Sequence, residues 1–142
     1  MEGSSGFQMP TALFVGSDDR LLARLAETLF NASPPRGWRA TSAGILPSDT
    51  EDSKLAPFLL EQGLRSPSNP PVQLDPGLLS FMRVVVWISE DEPGELPPYL
   101  LPKIDARWKV GSGDLHAARD QILSLLSPVK ELCAERTPRM FG

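Results

Sequence analysis

The sequence is short of sulfur, histidine, positive charge and long apolar runs, and each shortage removes a class of function. Cys133 is the single cysteine in 142 residues, so no internal disulfide can form. It follows Leu132 in a helical pattern, where a small buried apolar role is expected rather than a reactive one. His116 is the single histidine; with no second imidazole and no thiol nearby in sequence, a surface position on the last helix is expected and a metal site is not. Lysine and arginine number 14 against 18 acidic residues, a net charge of −4, with an isoelectric point near 5.0. That balance argues against nucleic acid, whose phosphates reward a basic face. No apolar stretch approaches the roughly 18 residues that cross a bilayer, and no signal-like hydrophobic segment is seen. The expectation is one soluble, cytoplasmic domain with no cofactor and no membrane contact, of ordinary single-domain size.

What the sequence does contain is a strand that feeds directly into a helix. Ala12, Leu13, Phe14 and Val15 form an apolar run too short for a helix, closed by Gly16, and Leu22, Leu25, Ala26 and Leu29 then recur with helical spacing. In parallel α/β folds such a junction gathers backbone N–H groups and the positive end of a helix dipole, which suits an anion.

Before this junction, residues 1–10 are small, polar and aperiodic, and read as a flexible leader or an expression remnant with Met9 as the natural start. The domain is expected over 11–135, with a tail over 136–142. Pro34-Pro35 forces a loop after the first helix, and Trp38 to Ala43 reads as a strand. A helix follows over Ser53 to Gln62, with Leu55, Phe58 and Leu59 buried, Gly63 just past its end, and Pro57 awkward in its first turn. Asp75-Pro76 is an N-cap and N1 pair for a short helix to about Met82. Val84 to Ile88 is the strongest strand signal and suits a strand buried on both faces. Ser89 to Pro102 is an acidic, proline-rich loop, Lys103 to Trp108 the last strand, and Asp114 the cap of a final helix in which Pro128 either makes a kink or opens a new turn. Strands alternating with helices imply a parallel sheet covered on both sides, an α/β three-layer sandwich.

The segment from Phe14 to Phe30 resembles the start of low-molecular-weight protein tyrosine phosphatases and the arsenate reductases of the same fold. That family reads strand, Cys-x5-Arg-Ser loop, then a helix containing Ala-Glu-x-Leu-Phe, which Ala26, Glu27, Leu29 and Phe30 match. The resemblance continues at Thr41-Ser42-Ala43-Gly44, at Leu59 with Gly63-Leu64, at Leu74-Asp75-Pro76 with Leu78-Leu79, and at Arg119-Asp120 with Ile122. It covers roughly residues 11 to 133 and implies a four-stranded sheet in the order 2-1-3-4.

In that register the chemistry is missing. Gly16 stands at the family's nucleophilic cysteine, Leu22 at its phosphate-clamping arginine, Ala23 at its supporting serine and Ser112 at its acid. Such an enzyme needs a thiolate to attack phosphorus, a guanidinium to hold two oxygens and an acid for the leaving group. Asp105 and Asp114 are displaced candidates for the acid, though an isolated carboxylate is more often a cap or a surface charge. With Cys133 alone, there is also no thiol relay of the arsenate reductase kind.

The expected reading is therefore a catalytically inactive pseudophosphatase that binds or regulates a protein partner. The alternatives are an enzyme with a relocated site and a non-catalytic anion-binding module, the latter using Gly16, Ser17, Asp18, Asp19, Arg20 and Arg24. Arg20 and Arg24 are expected as solvated charges on the outer helix face, with a stand-in for the missing clamp as the rival. Ser17, Asp18 or Asp19 is expected to cap the helix from within the loop. The acidic loop Ser89 to Tyr99, with Glu90, Asp91 and Glu92, is the candidate partner surface.

Overall fold

A computed structural model of the chain describes residues 9–91 and 95–137. The leader up to residue 8, Glu92 to Gly94 of the acidic loop, and the tail beyond residue 137 lie outside the described residues. The elements run β1 (Thr11–Gly16), α1 (Leu22–Ala32), β2 (Arg39–Gly44), α2 (Leu55–Glu61), α3 (Pro76–Ser80), β3 (Val84–Ser89), a 3-10 turn at Leu101–Lys103, β4 (Ala106–Lys109) and α4 (Leu115–Glu135). All pairings are parallel, in the order β2-β1-β3-β4. This is the α/β sandwich and the strand order that the resemblance implies.

Alternation along the two central strands divides the core. Ala12 and Phe14 of β1, with Val84, Val86 and Ile88 of β3, face α1, α2 and α4, and there Phe14 packs edge-on to Phe30 at 6.1 Å between ring centroids and against Trp108 at 5.5 Å. Leu13, Val15, Val85 and Trp87 face Leu74, Leu79 and Leu100 on the opposite side. Both strands are thus buried on both faces, which is why they read as unbroken apolar runs. On the edge strand β2, Asn31 at the end of α1 donates to the Ala40 carbonyl (3.0 Å) and accepts from the Ala40 amide (2.8 Å), so the helix is fixed to the outer edge of the strand, which further along is bridged at Gly44 by Gln73.

The helix ends follow local chemistry. Asp75 accepts from Leu78 N at 2.7 Å with Pro76 at the first helical position, and Asp114 accepts from the His116 and Ala117 amides at 2.9 and 3.3 Å. Past α2, Gly63 adopts φ +75°; its amide bonds Leu60 O and that of Leu64 bonds Leu59 O, a Schellman ending. Pro57 sits in the first turn of α2, where its missing N–H has no intrahelical acceptor to lose. Pro128 is carried inside a continuous α4. The last strand is shorter and later than expected: Lys103 belongs to the 3-10 turn and β4 begins at Ala106, because Pro97, Pro98 and Pro102 hold the approach in turns. Among the described residues no helix is long and apolar enough to cross a membrane.

Candidate functional site

β1 ends at Gly16 and α1 begins at Leu22, so residues 17–21 form a loop at the carboxyl edge of the sheet, where open α/β folds bind ligands. The loop is zipped to the chain that leaves β2. The carbonyls of Gly16, Ser17, Asp18 and Arg20 accept from the amides of Ile45 (3.1 Å), Leu46 (2.8 Å), Ser48 (3.0 Å) and Asp52 (2.9 Å). The amides of Ser17, Asp18, Asp19 and Leu21 find no acceptor among the described residues, whereas that of Arg20 donates to Asp18 Oδ1 at 3.2 Å. The expected side-chain cap is not formed: the helix N-cap is Leu21, with no side-chain cap bond, since Asp18 closes a turn inside the loop and Asp19 turns away.

Asp19 is the pivot of the loop. It has φ +51°, a left-handed conformation uncommon for a residue with a side chain, and it is 1% exposed. Its Oδ2 accepts from Val72 N at 2.8 Å and lies 3.7 Å from Arg24 Nη1. Arg24 is itself 1% exposed, which corrects the expectation of a solvated charge. Its Nε donates to Glu51 Oε1 at 2.9 Å, and its Nη2 donates to the carbonyls of Pro67 (3.1 Å) and Asn69 (2.6 Å). A guanidinium can be buried when acceptors surround it in this way. Arg24 therefore ties α1 to two distant loops and does not line the cleft.

Above the loop lies a cleft of about 550 Å³, lined among others by Gly16, Ser17, Asp18, Asp19, Arg20, Leu22 and Ala23. Ser112 also lines it, so the three positions the resemblance singles out as vacant, Gly16, Leu22 and Ser112, meet around one space. The remaining charged walls are Asp52, Lys54, Glu90, Asp91 and Glu95, and the apolar walls include Ile45, Leu46, Trp87 and Leu96. Arg20 is engaged with Asp52 at 3.4 Å, partly in solvent. Ser112 holds Glu90: its hydroxyl, and then its amide at 3.1 Å from Oε1, draws the Glu90 carboxyl below the usual range. Asp52, Lys54 and Trp87 of the cleft, and Glu51 as the partner of Arg24, are not legible as site residues, because only the folded topology brings residues 51–54, 87–91 and 95–96 to the loop.

The other candidates lie elsewhere. Asp105 precedes β4 at the amino edge of the sheet, the end opposite the cleft, and its carboxylate is bound by Val85 N and Arg136. Asp114 is the α4 cap. Neither lines the cleft. Cys133 is a free, buried thiol that burial pushes up to about 11. His116 is largely exposed, edge-on to Phe58 at 5.0 Å. Among the described residues, no three His, Cys, Asp or Glu side chains gather as a metal ion would need.

Comparison with known proteins places this geometry. No family model and no curated protein sequence matches the chain. Solved structures do. An arsenate reductase from Archaeoglobus fulgidus is 28% identical, with a TM-score of 0.66 over 85% of this chain and 97% of that one. The YwlE arginine phosphatase from Geobacillus stearothermophilus aligns with a TM-score of 0.72 at 18% identity, over 92% of this chain and 99% of that one. A low-molecular-weight protein tyrosine phosphatase from T. tengcongensis gives 0.66 at 18% identity, over 89% and 99%. The chain has the fold of the low-molecular-weight protein tyrosine phosphatase and arsenate reductase family, and these structural neighbours are drawn from it.

Proposed function

We propose that this protein is a non-catalytic member of that family, a pseudophosphatase whose cleft serves to bind a protein partner. The observation that carries this reading is the meeting of Gly16, Leu22 and Ser112 around one cleft. At those three positions glycine supplies no thiolate, leucine no guanidinium and serine no carboxylic acid, and loss of one member of such a unit already costs orders of magnitude in rate. The charge of the cleft supports it. Asp18, Glu90, Asp91 and Glu95 outnumber Lys54 once Arg20 is set against Asp52, a field that repels a phosphate dianion and favours a basic segment of a protein.

The test is a direct assay of the purified chain. Hydrolysis of an aryl phosphate, and arsenate reduction with a thiol donor, are expected to stay at the uncatalysed rate. Turnover that disappears in an Asp114→Asn variant would replace this reading with a relocated enzyme. Partner capture from the source organism is expected with the native chain and not with Glu90→Lys/Asp91→Lys. Equal capture by both would remove the acidic wall from the proposal.

The unengaged amides of Ser17, Asp18, Asp19 and Leu21 favour a second reading, an anion-binding module. Titration with inorganic phosphate separates the two: saturable binding that shifts the amide resonances of residues 17–21 supports the module, and no shift supports the protein-binding reading.

A further inference from the structure

The cleft has an electrostatic counterpart at the amino edge of the sheet. Thr11 opens β1 with an arginine on either side: Arg39 pairs with it from β2, and Arg83, just ahead of β3, donates its amide to the Thr11 carbonyl at 2.9 Å. Both arginines are exposed. Among the described residues neither guanidinium forms a hydrogen bond or an ion pair, and Arg39 acts on Glu27 only at a distance. The Asp105 carboxylate at this edge is bound by Arg136 instead. Met9 and Phe81, two residues ahead of Thr11 and Arg83, add exposed apolar groups.

The carboxyl edge is the complement. Asp18, Glu90, Asp91 and Glu95 outnumber Lys54 around the cleft, and Leu46 is exposed on its wall. Acids at helix starts and bases at helix ends are favourable, but helix dipoles do not account for this polarity. Among the described residues no α-helix carries an acid in its first turn or a base in its last. The six residues of β1 separate the two patches by about 20 Å of strand, against a Debye length of about 8 Å at physiological salt. Neither patch can therefore neutralise the other within one chain.

Between chains they can. Cleft against cleft, or edge against edge, would set like charges together, which disfavours a symmetric pair. Edge against cleft sets opposite charges together and brings Met9 and Phe81 toward an apolar wall. We infer that the partner of the cleft is a second copy of this chain, docked head to tail, with the Arg39–Arg83 edge of one copy against the Glu90–Asp91 wall of the next. The inference rests on the protein-binding reading of the cleft and names its partner. Such a contact leaves a free edge on one copy and a free cleft on the other, so further copies add to either end unless the chain closes into a ring.

The test is the mass of the full chain in solution, followed by light scattering against concentration and salt. At low salt the weight-average mass is expected to rise with concentration above the 15.5 kDa of one chain, and to return to it in about 1 M salt, where the Debye length is about 3 Å. Glu90→Lys/Asp91→Lys and Arg39→Ala/Arg83→Ala each disable one end. All four side chains are exposed, so both variants should fold as the native chain does. Each alone is expected to stay at the mass of one chain. Their mixture should form a complex of two copies and stop there, because the first variant supplies an intact edge and the second an intact cleft. Association that survives either pair of substitutions, or a mixture that stays monomeric, would overturn the inference. A native chain that remains at 15.5 kDa at every concentration would overturn it as well. If that monomer still captures a different protein through the Glu90–Asp91 wall, the protein-binding reading stands without the second copy; if it captures none, both fall.

Discussion

Gly44 and Asp18 touch backbone to backbone: a methyl group on Gly44 would stand 2.7 Å from the Asp18 carbonyl carbon and equally close to Asp19 N. No side-chain rotation relieves such a contact, so the loop or β2 would have to move. Gly44→Ala is expected to destabilise the fold by about 1–3 kcal/mol and to disturb the amide resonances of residues 17–21 and 45–48, where the two segments are zipped together. A variant with native stability and unchanged resonances would show that the loop is free of β2.

Arg24 carries the second prediction. Arg24→Met keeps the length of the side chain but leaves Glu51 and the Pro67 and Asn69 carbonyls without their donor and Asp19 without its ion-pair partner. Removing one partner from a buried charged network costs about 3–5 kcal/mol, which urea unfolding measures. A loss below 1 kcal/mol, the size typical of an exposed charge, would return Arg24 to the solvated face that its sequence position suggests.

That contrast marks where the sequence is legible. The strands β1 and β3, the Asp75 and Asp114 caps and the Gly63 ending are written locally, in runs and short-range residue choices, and the structure agrees with them. Gly16 and Leu22 could be placed at a cleft because a strand and a helix adjoin them. Arg24 could not be placed, because its acceptors lie at residues 51, 67 and 69, and no periodicity on α1 reports them. Carboxylates favour helix starts, so the sequence points to Ser17, Asp18 or Asp19 as the cap; the left-handed backbone of Asp19 and its bond to Val72, 53 residues away, turn it inward instead. The late start of β4 reflects prolines whose combined effect on a turn is not set by any single one of them.

Position 16 offers a test of the vacant site by addition. A Cβ on Gly16 would meet Ala23 Cβ at 3.5 Å and Ile88 O at 3.6 Å, ordinary contacts, so Gly16→Cys is expected to fold with stability within about 0.5 kcal/mol of the native chain. Iodoacetamide at neutral pH should add once to this folded variant, at residue 16 in the cleft. The folded native chain should resist, because Cys133 is buried and its thiol lies at about 11. Mass spectrometry counts the adducts, and labelling of Cys133 without denaturant would contradict its buried placement. With Leu22 still unable to clamp a phosphate, the new thiol should not confer aryl phosphatase activity.

Asp105 supplies the last prediction, at the sheet edge opposite the cleft. Its Oδ2 accepts from Val85 N at 2.9 Å and from Arg136 Nη1 at 3.0 Å, while Oδ1 accepts from Arg136 Nη2 at 2.9 Å. Two contributions can be separated there. The ion pair is partly in solvent, with side chains 19% and 40% exposed, and pairs of that kind contribute about 0–1 kcal/mol. The bond to Val85 N satisfies a backbone donor at a residue only 3% exposed, and leaving such a donor without a partner costs about 1–3 kcal/mol. Asp105→Asn, whose amide oxygen still accepts from Val85 N, should therefore cost less than Asp105→Ala, and its cost should shrink in high salt as screening weakens the pair it removes. Urea unfolding of both variants at low and high salt measures this. Equal losses in the two would make the charge, not the backbone bond, the reason for an aspartate at this position. In either case the cleft should be unchanged, since Asp105 acts at the other end of the strands.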